Sequence, residues 1–458
     1  MIGRVNLMSS RRLGRRAGRT VSVALAVGAL SGCARGEAQQ PVTQAELEEA
    51  AARLLPIVEQ RSGLRAVDTP RVAIRSLTTL ERYLTEQLER DLPAERAEAL
   101  TAVYARLGLV PDTLQLVPLL KALLLEQIVG YYDPAVDTLF VVDRVHKDSV
   151  ELVLVHELVH ALQDQHTNMD SLLRALEIEN DRSTAARSAV EGHATFAMTE
   201  WQLSQMSGMD IDLTGLPNLA EMGATLDLGS LPGMNVLAEA PRFVRESILF
   251  PYLGGLGFMQ AYWAAQPDRP VPLGRGLPES SEQILHPEKS FGAGRDAPTE
   301  LTFLADPPEG WEVRHTDGLG ELEVRILLEE LLGEEGTDGE AWEAAAGWDG
   351  DRYRLLRSGA DEVLVWASVW DSPADASHFA RAVSRALSLR YGAEETSGPQ
   401  PGVAGLYGPL GPQKRWLAVG TRTVDDRPVV TVIDFAAEDP SSVLPMWLDA
   451  ARFTTRGP

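Results

Sequence analysis

A single cysteine stands among 458 residues, so no intramolecular disulfide can form. Cations are also scarce: 42 Lys and Arg face 66 Asp and Glu, for a formal net charge of -24. That balance excludes a partner held by attraction to nucleic-acid phosphates. No uninterrupted apolar run reaches the ~18 residues that a membrane-spanning helix needs. The nearest candidate, Leu114 to Val129, is broken by Pro118, Lys121, Glu126 and Gln127. Internal repeats are missing too. What remains is 44% hydrophobic and 24% charged, the make-up of a globular chain with a sizeable core. Its length suits two or three domains.

The N-terminus has the form of a processing signal. Residues 1–20 carry Arg4, Arg11, Arg12, Arg15, Arg16 and Arg19 and no acid, and Val21 to Leu30 is a short apolar run. Leu30-Ser31-Gly32-Cys33 then matches a bacterial lipobox, in which the cysteine receives lipid and becomes the first mature residue. Residues 1–32 are therefore expected to be a lipoprotein signal peptide and 33–42 a lipidated tether. Cys33 would anchor the chain to a membrane of the bacterial cell envelope. Ala34 in place of an aspartate points to the outer membrane or cell surface. Ser10-Arg11-Arg12 resembles a twin-arginine signal, although Gly14 stands where that signal has an apolar residue.

Hydrophobic periodicity places a helix from Thr43 to about Arg61, with Thr43 as N-cap and Glu46 three residues on. Val72–Ile74 reads as a strand, 77–91 and 93–107 as helices, and Leu114–Ile128 as a largely buried helix. Gly130 to Val142 reads as a β-hairpin turning at Asp133-Pro134. Helices follow at about 149–164, 183–206 and 238–265. The Gly-, Leu-, Met- and Pro-rich residues 207–236 form a lid-like loop. Beyond about 300, Asp361–Trp370 is a strand, Pro373–Tyr391 a helix, Trp416–Thr423 and Val429–Phe435 a hairpin, and Ser442–Phe453 a last helix. The expected class is α+β: a helix-rich domain over 43–297 with a small β-sheet, and a second α+β domain over 298–458 that folds independently.

The chemistry-bearing pattern is His156-Glu157-Leu158-Val159-His160. On a helix, positions i and i+4 share a face, so both imidazoles reach one metal ion. Glu157 lies about 100° round from His156, where it can take a proton from a water that the metal acidifies. Chance produces this pattern in about one chain in a hundred of this composition. Its apolar flanks make a buried helix, where two imidazoles and a carboxylate are costly without a ligand. Catalytic zinc takes three protein ligands and leaves a fourth position open. Two residues compete for the third place. His166 is six residues past His160, but Gln163 stands where the metzincin pattern has its turning glycine, and a continuing helix points His166 away. Glu191 lies on the second predicted helix and is followed by Gly192, a residue that marks close helix–helix approach. Thr195 occupies the place of a supporting acid, so Asp181 or Glu179 would have to supply one.

His156 to Gln165 reads HELVHALQDQ, with Gly130–Tyr132 before it and Glu191-Gly192-His193-Ala194-Thr195 and Glu282–Pro287 after it. Over about residues 65–290 the chain resembles a family of largely uncharacterised bacterial secreted or lipid-anchored metallopeptidases of the gluzincin type. The resemblance implies a zincin-like fold for 43–297, one zinc on His156, His160 and Glu191, and Glu157 as catalytic acid and base. In zincins an edge strand beside the active-site helix receives the substrate backbone, here the hairpin at 130–142. The expected partner is a peptide or protein substrate. His286, Tyr131, Tyr132 and Tyr252 have the right chemistry to steady an oxyanion. His193 sits about 200° from Glu191 on its helix, out of ligand range. Gly347 to Tyr353 reads as turns pinned to a core, with a recognition loop as the alternative. Two other readings use the same residues: an envelope binding or assembly lipoprotein without turnover, and a hydrolase of non-peptide amides.

Overall fold

The computed structural model describes residues 22–25, 42–169, 171–172, 179–218, 233–337, 339–391 and 403–457. Cys33 and most of the expected tether, and much of the 207–236 loop, lie outside the described residues. The fold is α+β. A short strand, β1 (Ser22–Leu25), precedes α1 (Gln44–Ser62), which opens on a capping box between Thr43 and Glu46 and closes on Gly63 in the left-handed region. Then come β2 (Arg71–Arg75), α2 (Leu77–Asp91), α3 (Ala94–Leu107) and α4 (Leu116–Gln127). The hairpin β3 (Ile128–Asp133) and β4 (Thr138–Val142) leads into α5 (Lys147–Thr167). After α6 (Asn180–Ser207) come α7 (Asn235–Glu239), α8 (Arg242–Ala264) and α9 (Ser281–Leu285). The remaining elements are β5 (Glu300–Phe303), β6 (Glu312–Asp317), α10 (Gly320–Leu332), α11 (Glu340–Ala345), β7 (Trp348–Ser358), β8 (Asp361–Trp370), α12 (Pro373–Tyr391), β9 (Gly405–Leu410), β10 (Arg415–Val424), β11 (Arg427–Ala436), α13 (Pro440–Ala450) and β12 (Phe453–Arg456).

Three sheets result. The first has the order β1-β3-β4-β2, with β2 parallel to β4 and the other pairs antiparallel. β1 lies within the apolar run Val21 to Leu30 and pairs along the outer edge of β3. The second is antiparallel, in the order β6-β7-β8-β11-β10-β9, and the third pairs β12 with β5. No described helix is long and apolar enough to cross a membrane.

Several expectations need correction. The 114–128 segment is half-buried, with only Leu123, Gln127 and Ile128 fully inside, and β3 begins two residues before Gly130. The last helix stops at Ala450, because Phe453 is buried against Phe303 as β12 pairs with β5. Gly347 to Tyr353 is no recognition loop. Trp348 and Tyr353 are buried in β7, and the run bulges at Gly350, whose φ of 155° lets the chain pass the Thr299 backbone. The core also does not part near residue 298. Leu322, Val324, Ile326, Leu327 and Leu328 of α10 lie in one cluster with Phe243 and Phe258 of α8 and with Trp366 of β8.

Candidate metal centre

α5 is apolar on every side, and residues 153–163 are buried without a break, so it runs through the interior instead of along the surface. Two imidazoles and a carboxylate on such a helix must find partners inside. The i,i+4 spacing turns His156 and His160 to the same side, and their Nε2 atoms stand 3.1 Å apart. Glu191, on α6, brings Oε2 to 3.2 Å from each of them. The three donor atoms thus form a nearly equilateral triangle. Ligands on a tetrahedral zinc with bonds of ~2.0–2.1 Å are about 3.3 Å apart, so the donor set fits zinc in number, type and spacing. Both histidines are 1% exposed and Glu191 is 7% exposed.

Glu191 reaches this point because α6 and α8 touch backbone to backbone. A Cβ on Gly192 would lie 2.6 Å from Gly255 Cα and closer still to its carbonyl group. A Cβ on Gly255 would in turn strike the Ser188 carbonyl. Tyr252, one turn earlier on α8, lies against His156 with ring centroids 6.2 Å apart and planes 29° from parallel. Glu157 is fully buried and packs toward β3, where a Cβ on Gly130 would meet its Cγ at 3.5 Å. Glycine at 130 therefore lets the strand close onto the helix beside that carboxylate.

Charge inside the triangle is unevenly held. Burial pushes Glu191 up, but the two histidines outweigh it and hold the carboxyl down at about 2. Burial pushes both imidazoles down. At His160 the attraction of Glu191 and Glu157 and the Gln163 hydrogen bond overturn this and raise it to about 9, while His156 stays lowered. Two imidazoles this close do not readily both charge, which is why the shifts of the pair run in opposite directions.

The other candidates are placed elsewhere. His166 binds the Arg65 carbonyl at 2.8 Å on the exposed side and does not join the triangle. The Tyr131 hydroxyl accepts from Arg75 at 2.6 Å, and the Tyr132 hydroxyl donates toward the Asp137 and Asp164 carboxylates, each at 2.9 Å. His286 pairs with Glu321 at 2.9 Å. Asp181 accepts from the Ser281 backbone, and Glu179 meets Arg352, so neither supports the histidines. The supporting group is Gln163, 2.8 Å from His160 Nδ1. Its position three residues after His160 on the same helix was the available signal. A second acidic group, Glu282, Asp296 and Asp371, is held by the Lys289 ammonium at 2.6, 3.4 and 2.9 Å.

A family model described as a domain of unknown function (DUF8575) matches residues 311–438. That stretch holds β6 to β11 with α10 to α12 and contains none of the triangle. No curated protein and no solved structure matches the chain.

Proposed function

We propose that this chain is a zinc-dependent metallopeptidase of the bacterial envelope, anchored through a lipidated Cys33. The observation that carries the reading is the triangle of His156, His160 and Glu191, which has the composition and spacing of a three-ligand zinc site with Glu157 beside it. Held there, zinc would supply Lewis acidity and would lower the pKa of a water toward neutrality. Glu157 is not one of the three donors, and the reading gives its carboxylate the task of accepting a proton and returning it to a departing amine. β3 supports a peptide substrate: its outer edge takes an extended chain, as its antiparallel pairing with Ser22–Leu25 illustrates, and its Gly130 lies against Glu157.

The burial of the donors favours a second reading, a zinc-holding envelope protein without turnover, because a substrate carbonyl must reach what is now a closed interior. Metal analysis of the mature chain, with cleavage of a denatured peptide library, separates the two. The peptidase reading expects one zinc per chain and cleavage, both lost in His160→Ala. One zinc with no cleavage across the library at several pH values selects the second.

A further inference from the structure

Gln163, His193 and Ser62 are each fully buried, and they connect α5, α6 and the last residue of α1. Gln163 Nε2 donates to the Val190 carbonyl at 3.1 Å and lies 3.0 Å from His193 Nδ1. His193 Nε2 lies 2.9 Å from the Ser62 carbonyl. A carbonyl oxygen only accepts, so both ends of this chain have a set direction. Val190 requires the amide NH2 of Gln163 to face α6, which turns Oε1 toward His160 Nδ1 at 2.8 Å. Ser62 requires the hydrogen of a neutral His193 on Nε2, which leaves Nδ1 to accept the second amide hydrogen of Gln163. A flipped amide would set two oxygens against each other at Val190 with no hydrogen between them.

We infer that Gln163 is a positioning residue: anchored by His193 and the Val190 carbonyl, it holds His160 with its hydrogen on Nδ1 and its Nε2 aimed at Glu191. The inference rests on the proposed metal reading for its consequence, since a bare Nε2 is what a metal requires. His156 has no equivalent. Its Nδ1 has no hydrogen-bond partner among the described residues, and its ring is placed by packing on Tyr252. His160 is therefore the oriented imidazole of the pair. Because His193 lies two residues from Glu191 on α6, the same relay also ties the orientation of an α5 donor to the helix that carries the carboxylate.

Zinc affinity of the mature chain, measured by competition with a chromogenic chelator, tests this. Gln163→Met keeps the volume and removes the amide, and affinity should fall about 10–100-fold. A folded variant with unchanged affinity overturns the inference. A merely space-filling role would lower the melting temperature and leave affinity alone. Nitrogen NMR of the histidine rings in the wild-type chain needs no variant to fold. His193 should carry its hydrogen on Nε2 with Nδ1 bare, both with zinc and after chelation, and a hydrogen on Nδ1 overturns the relay. A wild-type chain that takes up no zinc refutes the metal reading instead, while the His193 spectrum still decides the relay.

Discussion

Glu157 and Glu191 are both buried carboxylates beside the same two histidines, yet they are expected to fail differently. Glu191→Ala removes a donor and should abolish stoichiometric zinc. Glu157→Gln should keep full zinc while peptide cleavage falls by at least about 10²–10⁴-fold, since an amide cannot take a proton. Metal content and turnover, measured on the same samples, check both, and His166→Ala should leave metal content whole. His286 belongs to a different experiment. Its hydrogen bond to Glu321 raises its pKa, so the stability it contributes is full below the unfolded value near 6.5 and is lost as pH rises through the folded one. The drop in melting temperature caused by His286→Ala should therefore be larger at pH 6 than at pH 9. At this scale the residues with legible placement were those set by spacing along one helix, His156, Glu157 and His160. Glu191 was legible through the glycine beside it. The tyrosines and Gln163 were not, because their partners Arg75, Asp164, His193 and Val190 come from other parts of the chain.

At the scale of elements, the crossing of α6 and α8 controls where Glu191 sits. Gly192→Ala places a methyl against the backbone of Gly255, which has no rotamer to change, and should cost about 2 kcal/mol or more despite alanine's better helix propensity. Gly254→Ala has the Phe250 side chain of its own helix as its nearest neighbour, a ring and not a backbone, and should cost less than Gly192→Ala. Thermal denaturation of the two variants makes the comparison, and equal losses would remove the crossing from the account. Because the donors lie on both α5 and α6, zinc should raise the melting temperature of the wild type by binding the folded chain alone, worth about 2.7 kcal/mol at a hundred times Kd. His160→Ala should show no such rise. β8 and α12 were legible to the residue, bounded as they are by Gly359-Ala360, Asp371-Ser372 and a long periodic face. β6 and the first half of β7 were not, because their Arg, Asp and Gly residues mimic a turn and only the neighbouring strands make them a ladder.

On the scale of the whole molecule, the change of pattern after residue 298 is real in secondary structure but not in packing. α10 belongs by sequence to the later part, yet its Leu322, Ile326 and Leu327 are buried in the cluster that also holds Phe243 and Phe258. A 300–458 fragment should therefore expose that face, bind a hydrophobic dye and melt without a sharp transition, whereas the mature chain melts as one unit. A cooperative fragment that binds no dye would restore the independent domain expected from the sequence. The order of the donors along the chain adds a dimension of time. His156 and His160 are synthesised first, and Glu191 follows 31 residues after His160. Two imidazoles on an isolated α5 are an incomplete set, and the third arrives only when Gly192 has seated on Gly255. If the proposed envelope location holds, a chain threaded unfolded across a membrane would travel without a competent centre, and the compartment in which α6 docks would select the ion.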